Sequence, residues 1–291
     1  PLDDGEVLKI FREVAKTGKM VAIHAENFYI IKMLTEEVKS SGDKSYAAML
    51  RSRPVVSETT VIESAIKIAE ETGAHLHILH LACGEGVDLI REAQKKGINV
   101  TGETCPHYLA LTDKDAEAVG PLIKGYPPVR TQHDQDKLWE GLRDGTLTHI
   151  CSDHAPHSVE EKQKGLWEGP AGMATIETMS MVVLDAVNRG KICINDAARL
   201  LSENPAKLYG TYPMIGSVQV GTDADFAIVD LDLEYVFHQE SMHSRTKLSP
   251  YNGRKFKGKV VKTILRGNTI AQNSEIVGQP GGRLIKPLCD Q

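Results

Sequence analysis

The sequence predicts an α/β fold built on parallel strands, followed by a small β domain. Before Gly210, short apolar runs alternate with longer segments of helical periodicity. Such alternation is typical of parallel strands joined by right-handed helical crossovers. From about Gly216 onward the pattern changes to short apolar runs separated by turns rich in glycine, asparagine and aspartate, which is typical of antiparallel strands.

Helices are predicted from apolar residues that recur every three or four positions and from the residues that cap such segments. The first helix is capped by Asp3 or Asp4 and ended by Gly18. Ser57 and Asn195 are predicted N-caps of two later helices, because their side-chain oxygens can accept from free backbone N–H groups. Further helical segments are predicted over 29–40, 46–53, 58–72, 87–96, 113–119, 134–143 and 173–188, with two short ones ending at Ser202 and Tyr209.

Strands are predicted from short apolar runs. Before Gly210 four of them are expected, over 20–23, 75–81, 98–103 and 147–150. A closed (β/α)8 barrel requires about eight strands, twice the number visible here. Three later strands are expected over 218–220, 226–231 and 260–266. The chain is therefore predicted to comprise an α/β portion over 1–215, β-domain strands over 216–276 and an irregular tail over 277–291.

Composition and charge narrow the classes of function. The chain has 291 residues, of which 41% are hydrophobic and 25% charged, a balance typical of globular domains. Its net charge of -5 argues against a nucleic-acid binder, which needs a basic surface to displace counterions. No apolar run approaches the ~20 residues of a membrane span, and no secretory signal is seen. We expect neither nucleic acid nor membrane as a partner.

Cysteine usage predicts a reducing compartment. The chain has five widely spaced cysteines and no Cys-x-x-Cys pair. They are Cys83, Cys105, Cys151, Cys193 and Cys289. We therefore expect a cytoplasmic protein whose thiols are mostly structural.

Polar side chains collect where the predicted strands end. The segment 151–157 (CSDHAPH) follows the fourth strand, while His24 and His80 follow the first and second. Ligands of parallel α/β sheets bind outside the carboxyl ends of the strands. Imidazole nitrogen and carboxylate oxygen suit an ion such as zinc, and an aspartate beside it can move a proton. Three such strand ends on one chain predict a metal site.

Each of these residues also has a structural interpretation. His24 alone would more often be a core histidine, and Asp153 alone would more often cap a helix. His75, His77 and His80 alternate and are expected to point to one face, with only His80 at the strand end. We interpret the remaining histidines as packing or hydrogen-bonding residues. These are His75, His77, His107, His133, His149, His238 and His243.

Several motifs resemble the cyclic amidohydrolases, the group that includes hydantoinase, dihydropyrimidinase, allantoinase and dihydroorotase. In the first part of the chain they are HAEN at 24–27, ETCPHYL at 103–109, PPVR at 127–130 and SDHAPH at 152–157. In the second part they are NPAK at 204–207, GTDAD at 221–225 and SPYNGR at 249–254. The resemblance covers nearly the whole chain, and the joint pattern is specific.

The resemblance implies a (β/α)8 TIM barrel beside a β-sandwich, with two zinc ions bridged by a carboxylated lysine. On that pattern 1–215 is the C-terminal half of the barrel and 216–276 belongs to the sandwich. His24 and His80 would bind one metal. Asp153 would bind the other and act as general base and acid. A metal-bound hydroxide would attack the carbonyl of the cyclic amide.

The chain departs from the family pattern in two places. It has no His-x-His before His24, and no lysine at a strand end: Lys9, Lys16 and Lys19 lie on or beside the first predicted helix. We expect one half of a two-metal site and a chain that is inactive alone. A half barrel leaves strand edges and apolar helix faces open, so we expect self-association, as a dimer or tetramer, or a complementary partner chain.

The resemblance leaves the substrate open. Hydantoinase-like members hold the ring through backbone groups at positions that correspond here to Tyr126, Ala171 and Gly172. His157 matches a dihydroorotase position that holds the substrate carboxylate, but dihydroorotases carry Asn where this chain has Tyr126. We favour a hydantoin, allantoin or dihydropyrimidine ring, with dihydroorotase second. An alternative of another class is a catalytically dead scaffold or assembly subunit.

Overall fold

A computed structural model describes residues 2–288 and divides the chain into two compact units. The first holds the chain through Ile176 together with His243–Pro250, and the second holds Glu177–Met242 and the chain from Tyr251 onward. This division does not coincide with the predicted boundary at 215/216. In the second unit the Asn188 side chain donates to the carbonyl oxygens of Leu231 and Lys257, each at 3.0 Å. These bonds tie a helix that precedes residue 215 to the later strands.

The first unit contains an α/β fold with parallel strands, as predicted. Strands β1 to β4 form one sheet in that order, and each neighbouring pair is parallel. The elements are α1 Asp4–Ala15, β1 Met20–Ile23, α2 Phe28–Ser40, α3 Tyr46–Ser52, α4 Val55–Thr72, β2 His75–Ile78, α5 Gly84–Lys95, β3 Val100–Thr104, α6 Pro106–Ala110, α7 Asp113–Val119, a 3-10 turn Gly120–Ile123, α8 Gln132–Asp144, β4 His149–Ile150, α9 Val159–Lys162 and α10 Gly165–Glu168.

Capping side chains mark where several helices of the first unit begin. Asp3 caps α1, and its side chain and that of Glu6 form reciprocal bonds with each other's backbone N–H groups. The prediction of Ser57 as an N-cap is wrong. Helix α4 begins at Val55 after Pro54, and the Ser57 hydroxyl donates to the Pro54 carbonyl at 2.7 Å within the first turn. Proline suits the start of a helix because no N–H is lost there.

The core of the first unit lies between the sheet and its helices. Leu76 and Ile78 of β2 are buried, as are Ile62 of α4 and Ile90 of α5. Gly102 of β3 allows the closest approach: a Cβ atom there would lie 2.9 Å from Ile90 Cδ1. Full burial of each such aliphatic side chain contributes roughly 1.5–3 kcal/mol, so this layer holds the strands in register.

Two strands are shorter than predicted, and the backbone that follows each of them leaves the extended conformation. Strand β2 stops at Ile78, and β4 comprises only His149–Ile150. Beyond them His80 has a φ of 36° and Asp153 a φ of 45°, left-handed values that leave the extended conformation. His80 therefore does not share the face of His75 and His77, which corrects the alternation expected from sequence.

The second unit contains one four-stranded antiparallel sheet in the order β5-β6-β7-β8 among its described residues. Its elements are α11 Met179–Asn188, α12 Ile194–Ala198, a π-type turn Arg199–Glu203, α13 Asn204–Leu208, β5 Phe226–Val236, a 3-10 turn Gln239–Ser241, β6 Lys255–Leu265, β7 Asn268–Gln272 and β8 Glu275–Ile276.

Three local predictions in this unit are wrong. The segment 218–220 is not a strand, and Val218 there is 82% exposed, so its apolar pattern has no face to pack against. Helix α11 begins at Met179 rather than Met173. Cys193, not Asn195, caps α12, its Sγ accepting from the Asp196 N–H at 3.4 Å. The chain from Val277 to Leu288 is irregular as predicted, while Cys289 and the rest of the tail lie outside the described residues.

Within the part of the chain that the structure describes, no helix combines the length and apolar character that crossing a membrane requires.

Candidate metal centre

Two predicted ligands meet at the ends of β1 and β2. His24 follows β1 and His80 follows β2, and the two strands are parallel neighbours. The ring nitrogens His24 Nδ1 and His80 Nε2 lie 3.1 Å apart, with ring centroids separated by 4.9 Å. Because the carboxyl ends of parallel strands share one edge, residues 56 positions apart in sequence become neighbours.

Asp153 follows β4 and completes what we call the strand-end cluster, His24, His80 and Asp153. Its carboxylate lies within 4.8 Å of a ring nitrogen of His107 and of Cys105 Sγ. Burial, and secondarily the charge of Glu103, raise the pKa of Asp153 to about 6, against a smaller opposing effect of His24. This carboxyl group can therefore hold or release a proton near neutral pH.

Two imidazoles at these strand ends, those of His80 and His107, are held neutral by burial. Burial, reinforced by the neighbouring His24, lowers the pKa of His80 to about 4. Burial and the proximity of His80 lower the pKa of His107 to about 3. Neutral imidazole is the form that binds metal ions. In His107, both ring nitrogens are buried without a hydrogen-bond partner.

Glu26 and Arg53 orient His24. His24 Nε2 lies 2.9 Å from Glu26 Oε2, and Arg53 Nη1 donates to the same oxygen. Burial alone would raise the pKa of Glu26, but the hydrogen bond from His24 and the charge and hydrogen bond of Arg53 lower it. Glu26 therefore stays ionised and fixes the His24 tautomer, so that the Nδ1 lone pair points toward His80. The part played by Arg53, which follows α3, was missed in the sequence.

The backbone at the strand-end cluster is strained. Among the described residues of the first unit, His80 and Asp153 are the non-glycine residues with a positive φ. Such conformations cost on the order of 1–3 kcal/mol each and concentrate at functional sites. Both belong to the set selected from sequence, which supports a functional rather than a packing role for that set.

The predicted substrate-contact residues fall into two groups. His157 Nε2 lies 2.9 Å from the Ala171 carbonyl oxygen, and Gly172 N–H donates to the Lys124 carbonyl at 2.8 Å. Tyr126 instead lies under the guanidinium of Arg53, with 3.3 Å from Arg53 Cζ to the ring centroid. Tyr126 is therefore linked through Arg53 and Glu26 to the strand-end cluster.

A second cluster was not anticipated from sequence. His77, Glu103 and His149 lie together in the interior, their ligand atoms all within 4.8 Å of one another. The sequence contained a signal for it, since His75, His77, Glu103 and His149 fall on neighbouring predicted strands. Without the register, which places Glu103 opposite His149, the three side chains could not be grouped.

Comparison with known proteins identifies the family of this chain. The model of the amidohydrolase family matches residues 2–270 of this chain. The chain belongs to the amidohydrolase family. The solved L-hydantoinase (dihydropyrimidinase) of Arthrobacter aurescens is 38% identical and superposes with a TM-score of 0.92, over 96% of this chain and 62% of that one. Dihydropyrimidinase from Brevibacillus agri gives 30% identity and a TM-score of 0.89, over 95% of this chain and 62% of that one.

Curated relatives of this amidohydrolase chain carry several activities in their names. The L-hydantoinase of Paenarthrobacter aurescens is 38% identical, over 96% of this chain and 62% of the relative. An allantoinase of Rubrobacter xylanophilus is 37% identical, over 98% of this chain and 63% of the relative. A dihydroorotase of Endomicrobium trichonymphae is 37% identical, over 94% of this chain and 64% of the relative. The chain thus spans less than two thirds of the length of each.

The side chains at the strand ends of this amidohydrolase fit a divalent metal ion. His24 presents a lone pair toward His80, and Asp153 adds a carboxylate on the next strand end but one. Two imidazoles and a carboxylate form a donor set that zinc and similar ions prefer. His24 donates an orienting hydrogen bond to the Glu26 carboxylate, as metal-binding histidines characteristically do.

Proposed function

We propose that this chain is part of a metal-dependent hydrolase that opens a cyclic amide ring of the hydantoin, allantoin or dihydropyrimidine type. The observation that carries the proposal is the approach of His24 Nδ1 and His80 Nε2 to 3.1 Å at the carboxyl ends of the parallel strands, where Asp153 follows β4. The names of the relatives, hydantoinase and allantoinase among them, support this substrate class.

His24, His80 and Asp153 are the proposed metal ligands. When bound, a divalent ion such as Zn2+ supplies a Lewis acid that polarises a carbonyl and acidifies water. No His-x-His pair precedes His24, and no lysine before it lies at a strand end, so neither the first-strand pair nor the carboxylated lysine of the family pattern is found there. We therefore propose that a complete site with two zinc ions, within a full (β/α)8 barrel, takes those ligands from chain outside 1–291 or from a partner.

Asp153 is the proposed general base and acid. Its carboxylate takes a proton from the attacking water and, once protonated, delivers it to the amide nitrogen that leaves the ring. A pKa near neutrality suits both steps, since the group must gain and lose the proton within one cycle; burial raises it to about 6. Glu26 and Arg53 hold His24 in place during these steps.

Substrate positioning is assigned to four residues. Tyr126, Ala171 and Gly172 would contact the ring, largely through backbone groups, while His157 lies against the Ala171 carbonyl. His157 also supports a second candidate, dihydroorotase, because an imidazole there could pair with a substrate carboxylate. A relative named dihydroorotase is 37% identical.

The oligomeric state and the cellular location are also part of the proposal. We propose a homo-oligomer, dimer or tetramer, acting on a small molecule in the cytoplasm. The apolar residues Phe28, Tyr29 and Met33, all exposed on α2, are among the side chains that an additional subunit or chain segment could cover.

Metal analysis and a substrate panel test the proposal. Elemental analysis of the longest natural form of the gene product should find at least two zinc-like ions per chain. That form should hydrolyse one of hydantoin, allantoin, dihydrouracil or dihydroorotate, and Asp153→Asn should abolish turnover while leaving the substrate affinity similar. No metal and no hydrolysis would instead favour a scaffold subunit that retains only the fold. Turnover of dihydroorotate alone would select the second candidate.

A further inference from the structure

His77, Glu103 and His149, which we call the inner cluster, occupy three consecutive strands. His77 lies on β2, Glu103 on β3 and His149 on β4, with exposed fractions of 0%, 5% and 3%. His149 Nε2 is 2.7 Å from Glu103 Oε2, and His77 Nε2 is 3.4 Å from the same oxygen. The two imidazole rings are nearly parallel, at 9°, with centroids 5.5 Å apart. Both Nε2 atoms therefore lie close to the same carboxylate oxygen.

Thr101 determines which nitrogen of His77 carries the proton. Its Oγ1 lies 2.8 Å from His77 Nδ1 and 2.9 Å from His75 Nε2, and its own hydrogen points toward the Leu76 carbonyl at 3.4 Å. A hydroxyl offers one donor and two acceptor positions, so both imidazoles donate to Thr101. His77 then carries its lone pair on Nε2, and this buried atom has no hydrogen-bond partner.

The inner cluster contains a buried carboxylate next to an imidazole lone pair, an arrangement that a bound cation would stabilise. Burial alone would raise the pKa of Glu103, but the hydrogen bond from His149 and the contacts with His77 and Cys151 outweigh burial and lower the pKa, so the group is a carboxylate. Its oxygen faces the lone pair of His77 Nε2 in the protein interior. Such an arrangement is costly unless a positive charge lies between the two atoms.

We propose that the inner cluster binds a divalent cation, zinc, in a buried site separate from the strand-end cluster. Two imidazole nitrogens and one carboxylate oxygen form a recurrent zinc donor set. Thr101 supplies the outer hydrogen bond that metal-binding histidines characteristically make. Ligand atoms within 4.8 Å of one another can each reach a shared ion at roughly 2.0–2.2 Å after small side-chain shifts.

The proposed ion would have a structural role. It would join β2, β3 and β4 at one point beneath the strand ends, and its binding free energy would add to the stability of the sheet. The inner cluster includes none of His24, His80 and Asp153, so the proposal does not depend on the catalytic assignment.

Cobalt substitution tests the site in solution. The chain would first carry His24→Gln and His80→Gln, which remove the strand-end imidazoles, and would be refolded with Co2+. We expect about one Co2+ per chain with the visible absorption of a four-coordinate site. Adding His77→Gln or Glu103→Gln should weaken binding at least tenfold. His75→Gln is the matched control, since His75 bonds the same threonine from the same strand but lies outside the cluster; it should bind as the parent does.

Two results would overturn the proposal. One is a His24→Gln, His80→Gln chain that folds but binds no cobalt. The other is a loss of binding in His75→Gln as large as in His77→Gln. Because substitutions in the interior can prevent folding, zinc-edge anomalous scattering from crystals of the unsubstituted chain gives an independent result. A peak between His77 Nε2, Glu103 Oε2 and His149 Nε2 supports the site, and peaks only elsewhere refute it.

Discussion

The guanidinium of Arg53 lies over the ring of Tyr126, with 3.3 Å between Arg53 Cζ and the ring centroid. The same side chain donates to Glu26, which in turn contacts His24. One arginine thus connects a proposed substrate-contact residue with a proposed metal ligand. A change in ring position at Tyr126 would reach His24 through three contacts.

Arg53→Met should weaken metal binding to the chain about 10- to 100-fold, the range for loss of an outer orienting contact. Without Arg53, the buried Glu26 carboxylate favours a protonated His24, and a protonated imidazole cannot bind metal. Chelator competition with Zn2+ measures the affinity. Arg51→Met is the control, because Arg51 pairs with Asp43 at the surface. Equal affinities in both variants would contradict the orienting role.

We expect the buried ion pair of Glu58 and Arg130 to make the largest electrostatic contribution to the free energy of unfolding. Both side chains are buried, and Arg130 Nε donates to Glu58 Oε1 at 2.7 Å. Removing one partner leaves an uncompensated buried charge, so Arg130→Met should lower the free energy of unfolding by about 3–5 kcal/mol. Urea denaturation measures it.

The exposed pair Lys67–Glu70 provides the comparison for Arg130. Its atoms are 2.9 Å apart, a good distance, yet Lys67→Met should change the free energy of unfolding by less than about 1 kcal/mol because exposed pairs are screened. Similar losses in the two variants would show that burial does not determine the strength of the Glu58–Arg130 pair.

His107 should make the metal-free chain less stable in mild acid. Burial lowers its pKa to about 3, while an unfolded histidine titrates near 6.5. Between these values the unfolded chain binds more protons, so stability is fully present above about pH 6.5 and is lost as the pH falls toward 3. One such group changes the free energy of unfolding by at most about 1.4 kcal/mol per pH unit.

Urea midpoints between pH 5 and 7, in chelator, measure this dependence. His107→Gln should flatten the profile, whereas His133→Gln, a change at an exposed histidine on α8, should leave the slope as in the parent. An unchanged slope in His107→Gln would assign the acid sensitivity to other groups, of which His80 is the next candidate.

Gly172 should not tolerate a side chain. Its φ is 130°, and an added Cβ would lie 2.5 Å from the Ala155 carbonyl oxygen. Gly172→Ala should therefore destabilise the chain by more than about 1 kcal/mol and displace the His157–Ala171 contact. Thermal unfolding measures the first effect. Gly282→Ala is the control, because nothing lies within 4 Å of a Cβ there. Equal melting temperatures for Gly172→Ala and Gly282→Ala would show that the backbone at Gly172 has room for a side chain, against the close approach of Ala155.

The sequence predicted the sheet and the strand-end histidines because both follow from short-range patterns. Strand β1 was located at 20–23 by its apolar run and by Gly18 before it, and the meeting of His24 with His80 follows from parallel strand ends. The left-handed backbone of His80 could not be anticipated, because no residue preference signals it. Arg53 was missed for a related reason: its contact with Glu26 spans 27 positions and two helices.

The inner cluster and the segment 218–220 show two different limits of prediction from sequence patterns. The first is a site that local patterns do not reveal, and the second is a strand that they predict wrongly. His77 and His149 have unremarkable neighbours in sequence, and only the strand register brings them to one carboxylate. Val218 and Val220 alternate as strand residues do, yet both are exposed in the structure. Tertiary packing, which decides burial, outweighed local preference in that segment.

The left-handed conformation of His80 and Asp153 governs which substitutions can be interpreted. Asparagine adopts this backbone region more readily than other side-chain-bearing residues, and β-branched residues adopt it least. Asp153→Asn therefore removes the charge while keeping the chain path, whereas Asp153→Val would combine loss of the carboxylate with a local distortion. The same preference should be visible among related sequences. Relatives that have lost the aspartate corresponding to Asp153 should carry asparagine or glycine there more often than valine or isoleucine.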